Sequence, residues 1–514
     1  METSLDPNML TQQPSRKKGG FRTMPFIIAN EAFERVASFG LLPNMTRYLM
    51  GGYHMDVATG TYVLSIWSAA TNFFPVVGAF ISDSFLGRYR TIVVGCVTSL
   101  LGMILLWLTA MIPQAKPPPC EALSKSCKSS STAQLAFLFA SFVLMSIGAG
   151  GIRPCSLAFG ADQWDKDGNP KMSVAAFRKR HIDLPKSKEA CYHYIKGSKI
   201  VVPTDMLRCL NKACIIINKE KDVKTDGSAT DPWSLCTVEQ VEELKALLKV
   251  MPIWSTGIII AVNISQQTFP YLQASSMDRH ITSNFQIPAG SFGMFTVLTL
   301  IIWIAVYDRL IIPQLAKLTG KPYGIGLKQR IGIGLALSCM AMATSAIVEN
   351  MRRKTAIRQG FADNPQGILN MSAMWLVPQH CLTGLAEAFN AIGQTEFYYS
   401  QFPRSMSSIA TSLFGLGMAV GSLLVSVIVK MVDDATKGEG KESWVSSNLN
   451  KGHYDYYYWI LTILSVMNFL YFLVCSWAYG PCEGERTKVP SEGDDEGMRE
   501  EEPCSESRTV DSSA

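Results

Sequence analysis

Three charged residues stand inside a stretch that otherwise reads as lipid-soluble: Glu31, Glu34 and Arg35 lie within MPFIIANEAFERVASFGLLPNMTRYLM, Met24 to Met50. Their spacing is i, i+3 and i+4, so in a helix all three side chains leave from one face. A charge at bilayer depth costs at least ~2.5–3.5 kcal/mol, so that face must look at protein or water, and such residues mark ion or substrate pathways. Burial favours a protonated carboxyl, and an approaching arginine favours an ionised one. Arg35 can therefore neutralise one carboxylate and leave the other to take up and release a proton. In a soluble protein the same spacing would mean a solvated surface pair; the apolar surroundings argue against that here.

Further polar chemistry sits in later apolar runs. Arg153 closes Ser146-Ile-Gly-Ala-Gly-Gly-Ile-Arg-Pro154, whose glycines permit close helix packing. Glu387 lies in Cys381-Leu-Thr-Gly-Leu-Ala-Glu-Ala, and Glu396 nearer the end of the same run, where an interfacial acid beside aromatic anchors is the favoured reading. His380 is the histidine of an apolar span, and a packing role is favoured over a proton relay. Nucleophile elbows, phosphate-binding glycine loops and metal-ligand spacings are missing from the sequence, so neither an enzyme nor a metal or cofactor finds support. The basic tracts read as solvated loops and not as nucleic-acid patches.

The elements that must hold these residues follow from the apolar runs. Of 514 residues 48% are apolar and 17% charged, and mean hydropathy is positive, which excludes an ordinary soluble protein and reads as polytopic. Runs long enough to span fall at about 24–50, 62–81, 91–112, 133–159, 247–269, 292–315, 331–348, 371–397, 409–432 and 456–477. The expectation is an all-α integral membrane protein of ten helices, four before and six after a central cytosolic loop, with both ends in the cytosol. Thr237-Val-Glu-Gln240 opens a helix with a capping box, and Val241, Leu244, Leu247 and Leu248 give it an apolar stripe that leads straight into the fifth span. Residues 1–23 form a cytosolic tail, 24–160 a first bundle, 161–246 the central loop with its amphipathic helix, 247–478 a second bundle, and 479–514 a tail too poor in apolar residues to fold. No cleavable signal peptide is evident, because the first apolar run is charged and lacks a small-residue cleavage site. Lys317, Lys321, Lys328 and Arg330 fall inside, as the positive-inside rule asks, whereas Arg352, Arg353, Lys354 and Arg358 fall in an outer loop, against it. Thirteen cysteines are scattered, many as small hydrophobes within spans. Cys120 and Cys127 share an outer loop, and paired and unpaired readings both stand.

Several of these stretches resemble the proton-coupled oligopeptide transporter superfamily, of major facilitator type, and in particular its plant nitrate/peptide branch. Glu-x-x-Glu-Arg at 31–35 resembles the first-helix signature. Gly78 followed by Asp83-Ser-Phe-Leu-Gly-Arg88-Tyr-Arg90 resembles the loop between the second and third helices, which clamps helix ends as the two halves rock. Arg153 stands where the superfamily commonly has Lys before Pro, and Glu387 matches its tenth-helix glutamate. The resemblance implies a major facilitator fold with Glu31, Glu34 and Arg35 in proton coupling, Asp83, Arg88 and Arg90 as the gating loop, and Arg153, Asn263 and Glu387 in substrate binding, Arg153 facing Glu31 and Glu34 across a cavity. A plain positive-inside anchor at 83–90 and a snorkelling helix-end arginine at 153 stand as the alternatives.

The same resemblance exposes a departure. GADQWDKDGNPK, 160–171, resembles the loop after the fourth helix, and much of 177–222 resembles the central loop, yet the fifth and sixth helices that the family places between them are absent. No run between Gly160 and Ala246 nears the ~18 apolar residues a span needs. An internal loss near 171–174 accounts for both observations. Peptide-transporting members usually continue the first-helix signature with Tyr-Tyr-Gly, where this chain has Ser38-Phe39-Gly40, and some nitrate-transporting relatives carry a seventh-helix His where it has Asn263. Nitrate, a peptide or another small organic anion all stay open as substrate. The expected partners are that solute, protons, the bilayer and full-length relatives, in the plasma membrane or alternatively the vacuolar membrane. Two functions stand side by side: proton-coupled solute transport, and a transport-deficient truncated form with a regulatory or sensing role. The breach left by two missing helices predicts weak transport or none.

Overall fold

The computed structural model describes residues 24–118, 129–162, 192–194, 203–204, 206–216, 223–224, 230, 235–319, 324–403, 406–438 and 442–481. Ten long helices follow one another: α1 (Met24–Arg47), α2 (Val57–Ile81), α3 (Arg88–Met111), α4 (Thr132–Asp162), α5 (Val238–Ile264), α6 (Gly293–Val306, continued through Tyr307–Ile311 into Ile312–Thr319), α7 (Leu327–Arg358), α8 (Val377–Gln401), α9 (Ser407–Thr436) and α10 (Tyr454–Tyr479). Among the described residues four precede the central loop and six follow it. Among the described residues eight helical segments are long and apolar enough to cross a membrane. The remaining two helices are α1 and α8, which carry the glutamates singled out above.

Packing explains where those charges end up. In the first half α3 lies on α4, and α4 lies on α2 and α1; in the second, α7 packs on α8 and α10, α6 on α8, and α5 on α9 and α10. The main seam between the halves is α2 against α9. The glycines of α4 make the first half tight: a Cβ on Gly78 of α2 would overlap the Gly150 carbonyl, and one on Gly151 would lie 2.8 Å from Gly95 Cα of α3. Small residues let α2 and α3 close on α4 from two sides, and Arg153 emerges immediately beyond. Apolar cores lie within each half, with Trp67 stacked on Phe142 at 4.5 Å in the first, and Phe269 edge-on to Tyr454 and Tyr457 in the second.

Several boundaries differ from expectation for physical reasons. The capping box at Thr237 and Gln240 forms as read, at 3.1 and 3.3 Å, but α5 then runs unbroken, so the boundary at 246/247 falls inside one helix. Its stripe also divides. Val241 is buried against Ala213, Cys214 and Cys236 of the central loop, Leu247 packs on the second-half core, and Leu248 is exposed. Helix α7 continues to Arg358, which corrects the outer-loop placement of Arg352, Arg353, Lys354 and Arg358; Arg352 is fully buried within it. Helix α8 starts at Val377 and not near 371, because Leu369–Ser372 forms a parallel strand with Met277–Asp278 and Pro378 sets the first turn. The tails before 24 and after 481, Cys120 with Cys127, and the region of the inferred loss at 171–174 lie outside the described residues.

Candidate functional site

Helices α1, α2 and α4 bring four polar side chains together. Arg153 Nε donates to both carboxylate oxygens of Glu34 at 3.0 and 3.2 Å, and Nη2 donates to Oε1 at 2.8 Å. Both side chains are largely covered, Arg153 11% and Glu34 8% exposed, so the pair is mostly shielded from water, where charge-assisted bonds are strong and a lone partner is costly. Ser38, one helical turn beyond Glu34, donates to Glu34 Oε1 at 2.9 Å and accepts from Arg153 Nη2 at 3.3 Å. Asn72 of α2 offers Oδ1 to Arg153 Nη1 at 3.5 Å. Such a unit can exist closed, as here, or opened with the carboxyl protonated. Ser38 and Asn72 were not legible as site residues; Ser38 occupies the position at which the sequence departs from Tyr-Tyr-Gly.

The other residues singled out are placed elsewhere. The side chains of Glu31, Arg35, Asp83 and Arg88 lie outside the described residues, so Arg153 is the counter-charge of Glu34 among those described. Arg90 is exposed in the first turn of α3, after the turn that Gly87 closes at φ 74°, a left-handed backbone that favours glycine. Asn263 is buried in α5, where its amide nitrogen donates to Ser338 Oγ of α7 and Ser465 Oγ of α10, each at 2.8 Å. That places Asn263 in a cluster within the second half and not beside Arg153. Glu387 is half-buried on α8, just past Gly384, where the α6 backbone at Thr296 presses against the helix. His380, also on α8, is buried with Nδ1 3.2 Å from Thr296 Oγ1.

Two further ion pairs escaped the sequence. Glu396, read as an interfacial acid, accepts from Arg330 Nη1 at 2.6 Å, and the Arg330 guanidinium lies 5.1 Å over the Tyr307 ring. Glu349 and Arg352 are both fully buried and meet at 2.8 Å, with Gln273 donating to the carboxylate and Arg352 donating to Asn450 Oδ1 and the Leu449 carbonyl. Outside the spans, hydrogen bonds from His280 hold the Asp278 carboxyl below its usual range, and burial pushes the Cys214 thiol up to about 11.

With this geometry in place, comparison with known proteins decides the family. The POT family model (PTR2) matches residues 89–180 and 186–445. The chain belongs to the POT family. Among its relatives, Protein NRT1/PTR FAMILY 1.2 of Arabidopsis thaliana is 49% identical over 575 positions, covering 96% of this chain and 94% of that protein. Protein NRT1/PTR FAMILY 1.3 of the same plant is 40% identical over 496 positions, covering 93% of this chain and 100% of that protein. The crystal structure of an auto inhibited POT family peptide transporter shares the fold with TM-score 0.64 at 17% identity, covering 91% of this chain and 99% of the other. This POT chain is therefore a multi-pass membrane transporter of the NRT1/PTR type with a major facilitator fold, and the proteins it resembles are transporters and not enzymes. The alignment to the 1.2 relative is longer than the chain's 514 residues, so gaps open on this side, and the family match breaks between 180 and 186, close to the inferred loss. The 1.3 relative, wholly covered within 496 positions, is itself short.

Proposed function

We propose that this POT chain is built for proton-coupled movement of a small solute, nitrate, a peptide or another small organic anion, with Glu34 and Arg153 as the coupling pair. The observation that carries this reading is their bidentate contact, buried between α1 and α4 in otherwise apolar helices. An anion entering a cell runs against a negative interior at ~2.3 kcal/mol per charge per 100 mV, so a monovalent anion needs two protons per cycle for net inward positive charge. When the pair opens, the buried carboxyl takes a proton and Arg153 is released to hold an anion; when it closes, the guanidinium displaces the proton. Rocking of the two halves about the α2–α9 seam links the two states. Both chain ends lie in the cytosol, and the plasma membrane is the favoured site. The test is uptake of labelled nitrate and a labelled dipeptide into oocytes at acidic and neutral outside pH: uptake that rises with acidity and collapses with a protonophore supports the reading, and uptake indifferent to both overturns it.

A second reading, a transport-deficient form that senses substrate or associates with full-length relatives, is favoured by one observation. The alignment to the 1.2 relative needs more positions than this chain has residues, as expected if a helix pair present there is missing here. Uptake by the chain beside a version carrying the relative's extra segment separates the two readings.

A further inference from the structure

We propose that a groove between α7 and α10 binds an anionic phospholipid of the inner leaflet, its headgroup phosphate at Lys328 and an acyl chain along the groove floor. The groove encloses about 630 Å³ and is floored by Gly332, Ala336, Phe469, Phe472 and Leu473, with Lys328 at one end. Gly332 lets the Phe472 ring lie close against α7, since a Cβ there would lie 3.0 Å from that ring. Leu473 of this lining is half exposed, so the groove can be reached by acyl chains of a surrounding bilayer.

The charge at the mouth selects the headgroup. Lys328 Nζ donates to the carbonyls of Ser476 at 3.0 Å and Gly480 at 2.7 Å, at the C-terminal end of α10. Those acceptors fix the ammonium at the mouth without neutralising it, and an ammonium has three donors. Lys249 of α5 lies 4.8 Å over the ring of Tyr479, at the same end of α10. Among the described residues no carboxylate pairs with either lysine, whereas the charge of nearby Arg330 is met by Glu396. An apolar floor with a lysine at the membrane edge that meets no carboxylate among the described residues fits a lipid with an anionic headgroup better than a zwitterionic one.

The leaflet rests on the orientation proposed above, but binding itself does not, so the two fail separately. Delipidated full-length chain in detergent is offered palmitoyl-oleoyl phosphatidylserine or phosphatidylcholine and the retained lipid is counted by native mass spectrometry. Phosphatidylserine should be retained about fivefold better, the worth of one lysine near an anionic headgroup. Lys328→Gln should abolish the preference and Lys328→Arg keep it, Ala336→Phe should lower retention of both lipids by filling the floor, and excess inorganic phosphate should displace neither. Equal retention of the two lipids, a preference intact in Lys328→Gln, retention undiminished in Ala336→Phe, or displacement by phosphate would overturn the proposal. Cysteine labelling from outside intact cells, at Ser228→Cys in the central loop, tests the orientation alone.

Discussion

At Glu34 the carboxylate is approached by Arg153 from across the bundle and by Ser38 from its own helix, and the two contacts differ in what they would cost to lose. Arg153→Ala leaves a buried carboxylate without its counter-charge and should destabilise the fold by ~3–5 kcal/mol, read as loss of monodisperse protein on gel filtration. Arg153→Lys keeps the charge but loses the planar fork, so protein should reach the membrane normally while acid-driven uptake falls roughly tenfold. Normal uptake with lysine at 153 would show that charge alone suffices. Ser38→Ala removes the bond to Glu34 and the longer one from Arg153, roughly 1 kcal/mol each, and should only shift the acidity at which uptake is half-maximal.

Helix α7 shows how tertiary partners decide what a local pattern leaves open. Its basic stretch reads as an outer loop, yet Glu349 and Arg352 carry the helix on by pairing with Gln273 and Asn450, 76 and 98 residues away. Nothing local marks those partners. By contrast the capping box at Thr237 and Gln240 is spaced three residues apart and was legible, as were the glycines that let α4 pack. The types of Glu34 and Arg153 were legible for the same reason, since charge in an apolar run is a local signal, whereas their pairing across 119 residues is a property of the fold. Glu349→Gln should lower the melting temperature markedly, by ~3–5 kcal/mol of stability, while the double change Glu349→Leu with Arg352→Met should cost less than the single one. Near the start of α10, burial and then the Arg353 charge hold His453 below its ordinary range, against the pull of Asp455. A histidine depressed in the folded state binds protons better unfolded, so this contribution is present above the ordinary value of ~6.5 and is lost as pH falls through it. Melting temperature should therefore drop more between neutral and mildly acidic pH in the native chain than in His453→Gln.

At the scale of the whole molecule, the described residues place four long helices in the first half and six in the second, and among the long apolar segments described α6 is the least covered, with 11% of its most apolar stretch buried. A transporter of this fold needs an occluded state in which neither lipid nor water reaches the coupling pair. The relative's extra segment inserted after Lys171 should accordingly raise uptake by an order of magnitude or more at equal surface expression; equal uptake by both forms would make that segment dispensable. The central claim, that Glu34 and Arg153 couple solute to protons, is tested most directly by the ratio of acid-driven uptake to solute exchange in proteoliposomes, for Glu34 and for Glu34→Gln in whichever form transports. Exchange need not turn over the proton, so the account predicts that Glu34→Gln abolishes acid-driven uptake and leaves exchange within a few-fold of the parent. Acid-driven uptake undiminished in Glu34→Gln, or uptake and exchange lost in equal measure, would contradict it.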